Sequence, residues 1–197
     1  MEIDVRMKDF FLDLLDKELS EVYFFHNRHH TLYVYEKALE IAIHEDCSED
    51  DKRLLAAAAL CHDTGYIKGK VNHEEESCNL ARRFLPDFGF SNLEIEKICI
   101  VIMATKIPQK PQDKLGEILA DADLEYLGTD LASAEADKLF QEIFAGNSAF
   151  TLLEWDAMQV EFISHHQYFT AFCKAHREPR KQSYLAEIQA RLTGSRC

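Results

Sequence analysis

Residues 54–65 read Leu-Leu-Ala-Ala-Ala-Ala-Leu-Cys-His-Asp-Thr-Gly, and no other stretch constrains the fold as much. A run of small and apolar residues at helical spacing is a buried helix. This one ends on two side chains of metal-binding type followed by a glycine, Gly65, read as the helix stop. Within a helix, neighbouring residues point about 100° apart, but a final turn that unwinds lets both swing toward one ion. His62 falls on the face of Leu55, Ala58 and Ala59 and so points inward. An inward imidazole beside a carboxylate needs a partner. Two readings stay open at this point: a helix-capping His–Asp pair, and a pair of metal ligands.

The rest of the 197-residue chain carries apolar residues at three- and four-residue spacing almost throughout, with only seven Gly and four Pro. That pattern predicts an all-α protein. No Pro/Gly/Ser-rich linker or composition shift divides it, so the expectation is one domain over 1–197, a single helical bundle. The formal charge of −13 argues against nucleic acid or an anionic membrane as partner of the surface. The first residues have neither a basic segment nor an apolar one, and no stretch is long enough to span a bilayer. A cytoplasmic protein is expected, with its six scattered cysteines reduced and mostly buried.

In chain order, an amphipathic helix is expected over about 4–19 and a second over about 29–45. In the second, His30 shares the buried stripe of Val34, Ala38 and Ile41, while His29 and His44 lie outside it. His30 is then either a satisfied core residue or a ligand. Ser48 caps the helix that carries His62 and Asp63. Asn72, with Glu75 at the capping-box position, opens another helix whose first turn holds His73, facing partly inward. Ser91 and Glu94 open a helix over about 92–105, and the one that follows ends at Gly128. Within that later helix, Asp121 is neighboured by Glu117 and Glu125, a wet face, but Asp123 by Leu119, Tyr126 and Leu127. No Lys or Arg sits three or four residues from Asp123, so its counter-charge must come from elsewhere. Helices over about 131–145, 152–176 and 181–192 complete the chain as packing elements, with His165 and His166 as core residues and the run Lys174, Arg177, Arg180 and Lys181 capping a helix end. Two loops stand out in so acidic a chain because they hold lysines and no acid: 66–72, with Lys68 and Lys70, and 104–111, with Lys106 and Lys110. They are either solvated lysine pairs or the walls of an anion pocket.

His30, His62 with Asp63, and Asp123 thus stand on three separate helices and are all expected to face one core. Two imidazoles and two carboxylates, with no thiolate, suit one six-coordinate Mn²⁺, Fe²⁺, Co²⁺, Ni²⁺ or Mg²⁺ that keeps positions open for water. His-Asn-x-x-His-Thr at 26–31, Cys-His-Asp-Thr-Gly at 61–65, His-Glu at 73–74 and Asp-Ala-Asp-Leu at 121–124 resemble, in order and spacing, the HD-domain superfamily of metal-dependent phosphohydrolases. The resemblance covers about 22–130 and leaves a helical C-terminal extension of about 131–197. It implies an α-helical bundle of the HD type, with His30, His62, Asp63 and Asp123 as metal ligands and His73 as a proton donor beside them. The doublet is not followed by the Glu-Asp pair of guanosine tetraphosphate hydrolases. Tyr66 stands where deoxynucleotide 5′-nucleotidases of this fold carry Glu, and no Gly-Tyr-Pro of cyclic-di-GMP phosphodiesterases occurs. Thr105 and Lys106 stand where dinuclear members tend to have histidines, which favours one metal over two.

The expectation is a hydrolase of a nucleotide or other small phosphate ester that uses a metal-activated water, with Asp63 and His73 catalytic and Lys106, with Lys68 or Lys70, offsetting phosphate charge. Two alternatives belong to other classes. One is a non-catalytic module that binds metal and nucleotide and signals to a partner; the other is an iron-dependent oxygenase of the same fold, which needs more histidines than the chain places.

Overall fold

A computed structural model of the protein describes residues 5–144 and 150–194. Position 4 of the first expected helix, position 145 of a later one, and Cys197 lie outside the described residues. The described residues form ten α-helices and no strand: α1 Val5–Glu18, α2 Arg28–His44, α3 Glu49–Cys61, α4 His73–Phe84, α5 Asn92–Met103, α6 Lys114–Asp123, α7 Ala132–Phe144, α8 Leu152–His165, α9 Ala171–His176 and α10 Glu178–Thr193. Short 3-10 turns follow α3, α4 and α6. No helix among them is long and apolar enough to cross a membrane.

The centre of the bundle is α3. Ser48 and Asp51 close a reciprocal capping box at its start, and Glu49, Asp50 and Asp51 meet the positive end of the helix dipole. From Leu55 to Cys61 every side chain is buried, because α1, α2, α4, α5 and α6 all pack against it. The four alanines bring those neighbours close. This core is continuous over α1–α6, and the five described cysteines are free, buried thiols. A second apolar cluster joins the 3-10 turn after α6 to α8 and α10, with Tyr184, Leu185 and Ile188 against Leu124, Tyr126 and Leu127.

The helix stop after His62 and Asp63 works differently from the expectation. Gly65 lies inside a 3-10 turn and is demanded by a close approach: a Cβ there would sit 1.9 Å from the carbonyl oxygen of His73. Gly65 N–H donates to Ser77 Oγ at 2.8 Å, and that hydroxyl donates to the carbonyl of His62 at 2.6 Å. The start of α4 is thereby pinned to the His62–Asp63 turn. Asn72 does not cap α4 with its side chain. It takes a left-handed backbone, φ 56°, which asparagine tolerates, and Glu75 turns to Lys106 instead of closing a capping box.

Four further expectations are corrected. The predicted helix over 152–176 is broken at 166–170 into α8 and α9, and the break is caused by Asp121. Far from lying on a wet face, Asp121 is fully buried. It accepts hydrogen bonds from the amides of Phe169 and Thr170 at 2.8 and 2.9 Å and from the Thr170 hydroxyl at 2.6 Å, which fixes the turn into α9. His165 is exposed rather than core, and only His166 is partly buried. The basic run is used internally. Lys181 is fully buried, donating to the carbonyl of His166 at 2.8 Å and pairing with Glu178 at 2.9 Å. Arg177 pairs with buried Glu125, which also accepts from Tyr33.

Gly65→Ala should drive α4 off the turn and cost about 1–3 kcal/mol of stability in urea unfolding; an unchanged midpoint would show that α4 can shift freely. Asp121→Ala should cost on the order of 3 kcal/mol, since it strands two buried amides, and a loss below about 0.5 kcal/mol would mean that the 166–170 turn holds without it.

Candidate metal centre and its cavity

The end of α3 unwinds just enough to aim two consecutive side chains at one point. His62 is the helix cap and Asp63 the next residue, in the bridge region of backbone space (φ −107°, ψ 3°). From α2 comes His30, one turn into the helix that Asn27 caps through the amide of His29. Asp123 comes from the last position of α6.

One ligand atom from each of His30, His62 and Asp123 lies within 4.8 Å of the other two. His30 Nε2 is 3.0 Å and His62 Nε2 3.6 Å from Asp123 Oδ1. Asp63 flanks this set, its Oδ2 3.2 Å from His62 Nε2 and 3.5 Å from His30 Nε2. Donor atoms at right angles about an ion with bonds of about 2.1 Å stand about 3 Å apart, so the spacing suits a small divalent cation.

The hydrogen bonding gives an independent test of that fit. The carbonyl of Ala59 accepts from His62 Nδ1 at 2.7 Å, which leaves the Nε2 lone pair turned to the cluster. That Nε2 and Asp63 Oδ2 are both buried with no hydrogen-bond partner. Orphaned buried polar atoms are costly, and a cation bound between them removes the cost. Burial, the largest influence, disfavours charge on His62, but Asp63 and Asp123 outweigh it and hold its pKa well above the ordinary value. Burial likewise opposes ionisation of Asp63 and Asp123, and the surrounding imidazoles outweigh it to keep both below the usual carboxylate range. Acids that favour positive charge beside a buried imidazole favour a cation in the same place. The residues present therefore fit a divalent metal.

A cavity of about 290 Å³ opens onto this cluster. Asp63, Asp123, His73 and Glu74 line its polar end, while Tyr66, Tyr126, Trp155 and Phe162 line the rest. His73, first residue of α4, places Nε2 3.7 Å from Asp63 Oδ1, and its Nδ1 lies 3.2 Å from the carbonyl of Lys70.

Sequence reasoning and geometry part company over the lysines. Lys106 extends to Glu75 at 2.5 Å, with both side chains about half exposed, and Lys68 and Lys70 are exposed on the turn after Asp63. None of the three lines the cavity. Glu75 takes Lys106 because, freed from capping α4, it is the acid that reaches the 104–111 loop.

Two features of the cavity went unread in the sequence. His26 lines it, stacked on Tyr66 with ring centroids 4.2 Å apart. Its place four residues before His30 was the available signal. The apolar wall comes from α7 and α8, through Ala136, Leu139, Ile143, Trp155, Met158 and Phe162. Those helices are part of the site as well as packing elements.

Comparison with known proteins agrees with this arrangement. The family model for the HD domain matches residues 28–125, the segment that holds His30, His62, Asp63, His73 and Asp123. Among curated proteins no sequence matches the chain. Two crystal structures share its fold. A predicted HD superfamily hydrolase from an uncultured Thermotogales bacterium is 22% identical, with a TM-score of 0.63 over 94% of this chain and 91% of the other. Bacillus subtilis YpgQ in complex with ADP is 18% identical, with a TM-score of 0.63 over 95% of this chain and 94% of the other. With the family model spanning its buried His–Asp centre and its helical fold shared along nearly the whole length, the chain belongs to the HD-domain superfamily.

Proposed function

We propose that the protein is a cytoplasmic metal-dependent phosphohydrolase acting on a nucleotide or another small phosphate ester. The observation that carries this reading is the pair of orphaned atoms, His62 Nε2 and Asp63 Oδ2, buried among His30 and Asp123 at the polar end of a cavity with aromatic walls. The aromatic surface suits a flat base or a similar apolar group. A nucleotide as substrate is further supported by the ADP held in a structure of the same fold.

His30, His62, Asp63 and Asp123 would hold one divalent ion. When bound, such an ion supplies Lewis acidity toward a phosphoryl oxygen and makes water acidic enough to attack at neutral pH. Asp63 and Asp123 balance the ion's charge, so the cluster as a whole is close to neutral. Burial of the cluster excludes bulk water and strengthens each electrostatic contact. His73 has Nδ1 committed to the carbonyl of Lys70, which leaves Nε2 to face the cavity. As an imidazolium, His73 would pass its Nε2 proton to the leaving oxygen as the phosphorus–oxygen bond breaks, keeping Nδ1–H on the carbonyl of Lys70. Asp63 Oδ1 lies 3.7 Å from the same Nε2.

The test is elemental analysis followed by turnover on a panel of nucleotides and simple phosphate esters with each candidate metal. Metal retained with phosphate released is the expected result; nucleotide bound without turnover would make the protein a binding module instead. His62→Ala and Asp63→Ala are expected to lose metal and activity together, and full metal occupancy in both would reduce the doublet to a helix cap. Titration of the metal-free Asp123→Asn and Asp121→Asn proteins with Mn²⁺ should show a loss of about tenfold or more only for Asp123→Asn, because Asp121 is spent on the α9 turn.

A further inference from the structure

A substrate phosphate brings two negative charges to a cavity end that already holds Asp63, Asp123 and Glu74, yet among the described residues neither Lys nor Arg lines that cavity. The metal offsets some of this charge. Hydrogen-bond donors from the protein must meet the remaining phosphoryl oxygens.

One side chain is built for that task. His26 sits in the cavity wall stacked on Tyr66 at 4.2 Å, and Tyr66 in turn lies 4.1 Å from His73, whose ring centroid is 6.3 Å from that of His26. Its ring is fixed from behind by Glu142 of α7. Glu142 Oε1 accepts from His26 Nδ1 at 2.5 Å, while Oε2 accepts from the amides of Phe25 and His26 at 2.9 and 3.0 Å. A carboxylate with only 5% of its side chain exposed thus spends both oxygens on one residue and its neighbour. With Nδ1 taken, Nε2 is the nitrogen left for the cavity that His26 lines. A carboxylate on Nδ1 fixes the direction of the ring, and an imidazolium held between that carboxylate and a phosphate donates to both, Nδ1–H to Glu142 and Nε2–H to a phosphoryl oxygen.

We propose that His26 binds the phosphate of the substrate through Nε2, and that Glu142 is the residue that positions it. This rests on the phosphohydrolase reading for the identity of the ligand. It assigns to a histidine the charge-offsetting role that the sequence gave to Lys106, Lys68 and Lys70. It also gives α7 a function, because the extension beyond the metal-bearing helices then delivers a residue that orients a phosphate-binding group.

The experiment titrates inorganic phosphate into the Mn²⁺-loaded protein by calorimetry and follows the His26 ring nitrogens by NMR. The wild-type ring should shift on phosphate addition. His26→Gln should keep its metal and weaken phosphate binding by about ten- to a hundredfold, the range for losing a charge-assisted hydrogen bond. Glu142→Gln, which keeps the shape and removes the charge behind the ring, should weaken it by a smaller factor, and Lys106→Ala should leave it unchanged. With an accepted ester, the His26 loss should fall on KM where ground state and transition state are bound alike, and on kcat where the contact tightens as charge develops. Wild-type phosphate affinity in metal-loaded His26→Gln or in Glu142→Gln overturns the proposal, as does a loss confined to Lys106→Ala. Should the wild type bind phosphate through His26 yet hydrolyse no ester, the proposal stands and the phosphohydrolase reading fails by itself.

Discussion

Four ionisable side chains buried against one another at the end of a helix of alanine and leucine set the terms for everything around them. His30, His62, Asp63 and Asp123 come from three helices and are mostly or fully buried. Left to themselves, buried carboxylates and imidazoles would lose more in desolvation than they recover from one another. The cluster persists because the scaffold over-determines it. The apolar contacts of α3 fix His62, the Asn27-capped start of α2 fixes His30, and the end of α6 fixes Asp123. Strain of this kind is what a bound cation relieves, so stability and metal affinity are two faces of one arrangement.

The His62–Asp63 turn is also where the fold is tightest. Gly65 touches the carbonyl of His73, and Ser77 bridges Gly65 and His62 through a single hydroxyl. The residue proposed to move a proton is therefore carried on a helix clamped directly to the His62–Asp63 turn. Relative placement of the two depends on one missing methyl group and one shared hydroxyl, with no long loop between them to blur it. The apolar wall is different in kind. It is supplied by α7 and α8, which lie outside the main core and pack through the second cluster. The His–Asp cluster and the apolar wall are thus supplied by separate parts of the chain.

Much of this was legible in the sequence, and what was not follows from the range over which side chains interact. The helices, the caps at Ser48 and Ser91, and the inward faces of His30, His62 and Asp123 are local properties, written in spacings of three and four residues. Asp121 was misread because its neighbours at i±4, Glu117 and Glu125, imply a polar face. Its real partners are the amides of Phe169 and Thr170, 48 and 49 residues away, and nothing local announces them. The unbroken helix expected over 152–176 failed for the same reason, since the residue that breaks it lies on α6. Glu142 is further still from His26, at a separation of 116 residues. A deficit of acid within the 104–111 loop says little about acids on the helix next door, where Glu75 pairs with Lys106.

The distribution of charge explains why imidazoles suit this site better than lysines. A chain of net charge −13 repels a phosphate at long range, but at physiological salt that field is damped beyond about 8 Å. What counts is the charge within contact distance of the phosphorus. An exposed ammonium on a flexible stem is readily claimed by a nearby carboxylate, and the pairing of Lys106 with Glu75 is an instance. A buried histidine is held in one direction by the group behind its ring, and its charge is set by that group rather than by solvent. Burial, the largest influence on His26, pulls its pKa down, but the hydrogen bond it donates to Glu142 and the acids across the cavity outweigh it and raise the pKa above the ordinary value. Glu142 in turn is pushed up by burial and brought below its usual range by His26, so each partner favours the charged form of the other. A pair with no net charge adds little to the field of the protein, yet it presents one directed donor to whatever anion enters.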